Sequence, residues 1–162
     1  MKTLLLIRHA KSDWGDASLS DFDRPLNQRG KNDAPVMAHR LLDKKIKINA
    51  FISSPAKRAK KTATVFAEAY KWNKEDIVLK DELYGAEPPV FFDVITATDN
   101  KLDSIAIFSH SPGITEFANL LTDARIDNIP TCGIFAVQVD CKKWADFKNA
   151  KKEFWFFDFP KA

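Results

Sequence analysis

The sequence predicts an α/β fold, a three-layer α/β/α sandwich whose central sheet is mostly parallel. Two observations carry this. Apolar segments of strand length alternate with amphipathic segments of helix length over most of the 162 residues, the order that builds helices onto a sheet. The two clearest strand segments, Thr3 to Arg8 and Ser104 to Ser109, are almost continuously apolar, as expected where helices cover both faces of a parallel sheet. No repeat, low-complexity tract or Gly/Ser linker interrupts the chain, and its 5 glycines are scattered singly. One domain, 1–162, is expected.

The elements follow in order. Thr3 to Arg8 is the first strand, and a polar, Asp-rich loop leads from it to Asp23-Arg24-Pro25-Leu26. Asn27 is placed to cap a helix running to about Lys45, with Ala34, Met37, Ala38, Leu41 and Leu42 on one stripe. Ala50 to Ser53 is a short strand. Ser54 and Pro55 then read as cap and first position of a helix through Ala59, Thr62, Ala63 and Phe66 to about Tyr70. Ile77 to Lys80 is short and β-like, and Pro88 and Pro89 open a helix carrying Val90, Phe91, Val94 and Ile95. After the strand Ser104 to Ser109, Ser111 and Pro112 start another helix through Ile114, Phe117, Ala118 and Leu121. Gly133 to Val139 and Glu153 to Phe159 read as strands that pair antiparallel, with an irregular link around Trp144. The tail Phe154-Trp155-Phe156-Phe157 is expected to be a buried strand.

Composition narrows the function. The first apolar run is too short for a signal-peptide core or a membrane span, so a cytoplasmic protein is expected. Cys132 and Cys141 have no C-x-x-C spacing, and with 3 histidines they form no zinc framework. They read as reduced thiols, and no metal or cofactor is expected. A net charge of +3 suits an anionic ligand but does not argue for nucleic acid. The basic run at Lys57 to Lys61 carries no interleaved aromatic for base stacking, and Lys60 and Lys61 read as a solvated helix face.

The chemistry gathers where strands end. "FISSP" and "FSHSP" each close a strand with a serine and a proline, pointing a helix amino terminus toward the sheet's carboxyl edge, where unpaired N–H groups favour an anion. Arg58 falls in the first turn of one such helix, where a cation opposes the helix dipole unless an anion is bound. Arg8 ends the first strand, and its planar fork suits phosphate oxygens. His9 and His110 both fall at predicted carboxyl ends of strands. Two histidines and two arginines converging on one edge suggest a phosphate clamp around a nucleophilic imidazole, which must be unprotonated at the attacking nitrogen. His39, inside a helix, reads as structural.

Taken together, "LLLIRHAKS", "SSPAKRAKKTA", "FSHSPG" and "DRPLNQRG" resemble the histidine phosphatase superfamily, which has the phosphoglycerate-mutase-like fold. Within it the short chain resembles the SixA-type phosphohistidine phosphatases, which lack the large insertions that cover the pocket in many relatives; no lid insertion is visible here. The resemblance implies His9 as the phosphorylated nucleophile, with Arg8, Arg58 and His110 completing a catalytic phosphate pocket. Ser12 and the backbone N–H of Ser111 are substrate-side candidates. The segment "DELYGAE" departs from the pattern in which many relatives carry a glutamate general acid: Glu82 and Glu87 are both candidates, and the favoured reading of each is a solvated carboxylate.

The expected function is a metal-independent phosphatase that removes phosphate from phosphohistidine in a protein, such as a histidine-containing phosphotransfer domain, in protein dephosphorylation and signal transduction. Phosphohistidine departs as a neutral imidazole when its distal nitrogen is protonated, so an enzyme acid is less necessary than for an alkoxide. The alternatives are a phosphatase of small phosphate esters and a non-catalytic phosphoprotein-binding module. Neither nucleic acid nor a membrane is expected as a partner.

Overall fold

The computed structural model describes residues 1–162. Six strands form one sheet: β1 (Lys2–Arg8), β2 (Ala50–Ser53), β3 (Val78–Leu79), β4 (Ser104–Ser109), β5 (Ile134–Asp140) and β6 (Lys151–Asp158). Four helices flank it: α1 (Gln28–Asp43), α2 (Lys57–Ala69), α3 (Pro88–Thr96) and α4 (Gly113–Leu121). The strand order is β3-β2-β4-β1-β5-β6. The first four are mutually parallel, β5 runs antiparallel to β1, and β6 antiparallel to β5. The α/β class and the mainly parallel sheet are as the sequence predicts.

Side chains alternate across a strand, and β1 uses both sides. Leu4 and Leu6 pack with Phe91, Ile95, Ile114 and Phe117 of α3 and α4 and with Trp144 and Phe147. Leu5 and Ile7 pack with Ala34, Met37 and Leu41 of α1 and Phe66 of α2. All four β1 residues are fully buried, each stabilising the fold by roughly 1.5–3 kcal/mol relative to exposure. Two apolar layers on one apolar strand are what the continuous "LLLI" run requires.

The Asn27 cap forms as expected, its side chain accepting the Gly30 N–H at 2.9 Å. The two serine-proline junctions differ from expectation. Ser54, just past the end of β2, is still tied to β4, donating its N–H to the Phe108 carbonyl at 3.0 Å. The helical turn therefore starts later: Ala56 is the cap residue and its carbonyl accepts the Lys60 N–H at 2.9 Å. At the second junction His110 supplies the first carbonyl of the turn, to Ile114 at 3.0 Å, and the Ser111 hydroxyl donates to Asn128 Oδ1 at 3.0 Å instead of capping.

The aromatic tail also needs correction. It lies in β6, at the sheet's edge, and Phe154 and Trp155 are 44% and 42% exposed. Phe156 faces Ala136 while Phe154 faces Val137, so Trp155 is the extra residue of a bulge. The bulge breaks the two-residue alternation, and no strand lies beyond it to bury what it turns outward. No helix is long and apolar enough to cross a membrane.

Candidate active site

Strands β1, β2 and β4 end at the same sheet edge, because Arg8 is in register with Ser109 and Ser53 with Phe108. His9, Ser54 and His110 therefore emerge side by side. The backbone beyond β1 is tied down: the His9 N–H donates to the Ser109 carbonyl at 3.1 Å, and the Cys132 N–H reaches the carbonyls of Arg8 and His9 at 3.1 and 3.0 Å. Cys132 makes that reach from the left-handed region, at φ 61. Thr62 links α2 to the same segment, accepting the Ala10 N–H at 2.9 Å and donating to the Arg58 carbonyl at 2.8 Å.

Four of the predicted residues meet here. The rings of His9 and His110 lie 5.1 Å apart between centroids. Arg58 Nε is 3.4 Å from His9 Nε2, and Arg8 donates through Nη1 to the Ile129 carbonyl at 2.9 Å. His9, His110 and Arg58 are buried. The two buried side-chain polar atoms left without a hydrogen-bond partner, Arg8 Nε and His110 Nδ1, both belong to this group; such an atom costs about 1–3 kcal/mol when unsatisfied.

The geometry decides the state of His9. Its Nδ1 lies 2.7 Å from the Ala10 carbonyl, which can only accept, so Nδ1 carries the proton. Nε2 is then the lone-pair nitrogen, and it faces the Arg58 N–H. Burial, helped by the positive charges of Arg58 and Arg8 and by His110 and opposed by the Ala10 carbonyl, pushes the His9 pKa down from 6.5 to about 3. Burial and the nearby Arg58 push His110 down to about 4. Both rings are neutral near pH 7. His110 Nε2 is 2.8 Å from Ser54 Oγ, the same oxygen that accepts the Ala56 N–H at 3.2 Å. Burial and Arg58 also lower the Arg8 pKa.

A carboxylate that the sequence reading did not single out organises the rim. Asp21 Oδ1 accepts from Arg24 Nη2 at 2.8 Å and Nε at 3.1 Å, and Oδ2 accepts from Arg58 Nη2 at 3.0 Å and the Tyr84 hydroxyl at 2.6 Å. Its backbone carbonyl takes Arg58 Nη1 at 2.6 Å. The Tyr84 hydrogen bond, with Arg24 and Arg58, holds the Asp21 carboxyl well below the usual range. Tyr84 is shifted upward, since the hydrogen bond it donates to Asp21 holds its proton and burial disfavours its anion. Tyr84 also sits edge-on to His110, 5.5 Å between centroids. The only sequence signal for this hub was an aspartate three residues before Arg24 in a loop rich in aspartates.

The remaining candidates separate. Ser12 is buried and its hydroxyl accepts from Arg24 Nη1 at 2.5 Å, which ties it to the Asp21 hub. Glu87 lines a cavity of about 230 Å³ together with His110, Ser111 and Glu116. Glu82 lines a different cavity, with Ala50, Val78 and Asp93. Of the two glutamates, only Glu87 shares a cavity with a site histidine. His39, Lys60 and Lys61 are exposed and lie outside this cluster of histidines and arginines. Burial raises the Cys132 thiol far above its ordinary pKa. The arrangement is a neutral imidazole with a fixed lone pair, in contact with the Arg58 guanidinium and beside a second imidazole.

Among solved structures, the fold matches the protein histidine phosphatase SixA complexed with tungstate, with a TM-score of 0.83 over 98% of this chain and 97% of that one at 21% identity. It also matches SixA from Agrobacterium tumefaciens, with a TM-score of 0.80 over 98% and 99% at 24% identity. Both are likenesses of fold. In sequence, an uncharacterized protein of Mycobacterium tuberculosis is 29% identical over 150 residues, covering 86% of this chain and 90% of that protein. The family description "Histidine phosphatase superfamily (branch 1)" matches residues 4–84, a span that includes Arg8, His9 and Arg58. With half the chain matched and His110 brought against His9 by the fold, the chain belongs to the histidine phosphatase superfamily, a membership that supports phosphatase activity.

Proposed function

We propose that the protein hydrolyses phosphohistidine in a protein, without a metal, through a phosphoryl group carried on His9. The observation that carries this reading is the fixed tautomer of His9: Nδ1–H is committed to the Ala10 carbonyl and the Nε2 lone pair faces Arg58. In the first step that lone pair attacks phosphorus as the P–N bond of the substrate breaks. The substrate imidazole leaves neutral when its distal nitrogen holds a proton. In the second step water attacks phosphorus, the pair of the Nε2–P bond returns to His9, and the water's protons remain with phosphate and solvent. Arg8, Arg58 and His110 stabilise the equatorial oxygens, where most of the catalytic gain in phosphoryl transfer arises.

The test is single-turnover labelling with a ³²P-phosphohistidine peptide in the presence of a chelator. One phosphoryl group per chain is expected on His9, and none on His9→Ala. Turnover of the peptide by His9→Ala at the wild-type rate would rule the covalent route out.

A second reading, hydrolysis of small phosphate esters, is favoured by one observation: Glu87 shares a cavity with His110 and can serve as the acid an alkoxide leaving group needs. It requires that Glu87→Gln collapse ester turnover while sparing phosphohistidine. Phosphopeptide binding with no turnover of any phosphosubstrate would instead mark a binding module.

A further inference from the structure

A groove of about 520 Å³ runs between α1 and α2, lined by Lys31, Lys57, Lys60, Lys61 and Lys74. No carboxylate lines it, and the chain's ion pairs are all made by other residues. Lys57 stands one turn before the adjacent Lys60 and Lys61, on the face of α2 opposite its buried stripe of Ala59, Thr62, Ala63 and Phe66. The whole molecule carries a net charge of only +3, so five unpaired cations in one groove are a local concentration.

The groove's lining adjoins site residues along the chain. Lys57 immediately precedes Arg58, and Pro25, also in its wall, follows Arg24 of the Asp21 hub. Beyond Arg24 the rim turns apolar: Trp14 is 72% exposed and lies over the Arg24 guanidinium at 3.5 Å. Phe22 and Tyr84, in edge contact at 5.1 Å, are also exposed.

We infer that the lysine groove and its aromatic rim dock the acidic surface surrounding the phosphohistidine of a protein substrate. This rests on the phosphohistidine reading and adds the partner's surface chemistry to it. A small ester places its single phosphate among the arginines and leaves a second cationic groove without purpose. A nucleic-acid backbone is the competing occupant for unpaired lysines, and the experiment includes an arm that separates it. Lysines attract carboxylates as point charges from many directions, which suits a folded acidic face.

The experiment compares two phosphohistidine peptides that differ only in their flanks, Asp/Glu against Asn/Gln, on the wild type and on a Lys60→Glu, Lys61→Glu, Lys74→Glu variant. Wild type is expected to favour the acidic peptide about tenfold in kcat/KM at low salt, within the usual range of electrostatic steering. The preference should vanish near 1 M salt, where the screening length is about 3 Å, and invert in the variant. The ratio within one protein corrects for any loss of folded material. Equal turnover of both peptides by wild type overturns the docking surface and leaves the phosphohistidine reading standing. Turnover of esters but of neither peptide overturns both. Displacement of the acidic peptide by a single-stranded oligonucleotide at lower charge concentration than by an unphosphorylated acidic peptide overturns it in favour of nucleic acid.

Discussion

At the scale of single residues, the molecule keeps two imidazoles neutral by burying them beside arginines, and this has a consequence for stability. In the unfolded chain both histidines take up a proton near pH 6.5; in the fold His9 resists until about 3 and His110 until about 4. Their folded pKa values are depressed, so the unfolded chain binds more protons between those limits. Stability is therefore whole above about pH 6.5 and drains as pH falls, by at most about 1.4 kcal/mol per pH unit for each ring. Urea midpoints between about pH 7 and 5 should fall more steeply for wild type than for a His9→Gln, His110→Gln variant; parallel profiles would show that the buried rings do not carry the dependence. Arg58 is equally constrained, its three nitrogens divided among His9, the Asp21 carbonyl and the Asp21 carboxylate. Arg58→Lys cannot span all three from one ammonium. A fall of about a hundredfold or more in kcat is expected, and kinetics within tenfold of wild type would mean the fork is dispensable.

At the scale of elements, the site depends on how closely segments approach. A side chain at Gly113, the first residue of α4, would run into the Ala86 carbonyl, so the absence of a Cβ lets α4 abut the turn that carries Glu87. Gly113→Ala should cost about 1–3 kcal/mol by overpacking and shift Glu87 relative to His110. Urea denaturation reads the first effect, and an unchanged midpoint would show that the turn yields freely. These approaches also explain what could be read in advance. Strand identity and the convergence of Arg8, His9, Arg58 and His110 were legible because apolar runs and helix starts are local and a parallel sheet sends its carboxyl ends to one edge. The Asp21 hub was not, because its partners Arg58 and Tyr84 lie 37 and 63 positions away and one aspartate of that loop looks like another. The late start of α2 was hidden for a similar reason: Ser54 is held by a carbonyl of β4, a partner that local sequence does not name. Trp155 escaped because a bulge inverts the alternation on which a buried strand is inferred.

At the scale of the whole molecule, strand order matters more than any one contact. β1 lies between β4 and β5, so the segment that bears His9 finds its neighbours only among residues 104–140. During synthesis the "LLLI" run leaves the ribosome well before residues 104–140 and waits, unpaired and apolar, for its neighbours. Fragments ending before β5 should bind a hydrophobic dye and show no cooperative melting, whereas a fragment ending at 140 already contains both neighbours of β1; cooperative melting of a chain ending at 125 would contradict this. The last clasp on the site is Cys132, whose N–H closes on the carbonyls of Arg8 and His9. A nascent or truncated chain lacking residue 132 has no N–H to close on those two carbonyls, so on the route proposed above an unfinished copy should carry no phosphoryl group on His9.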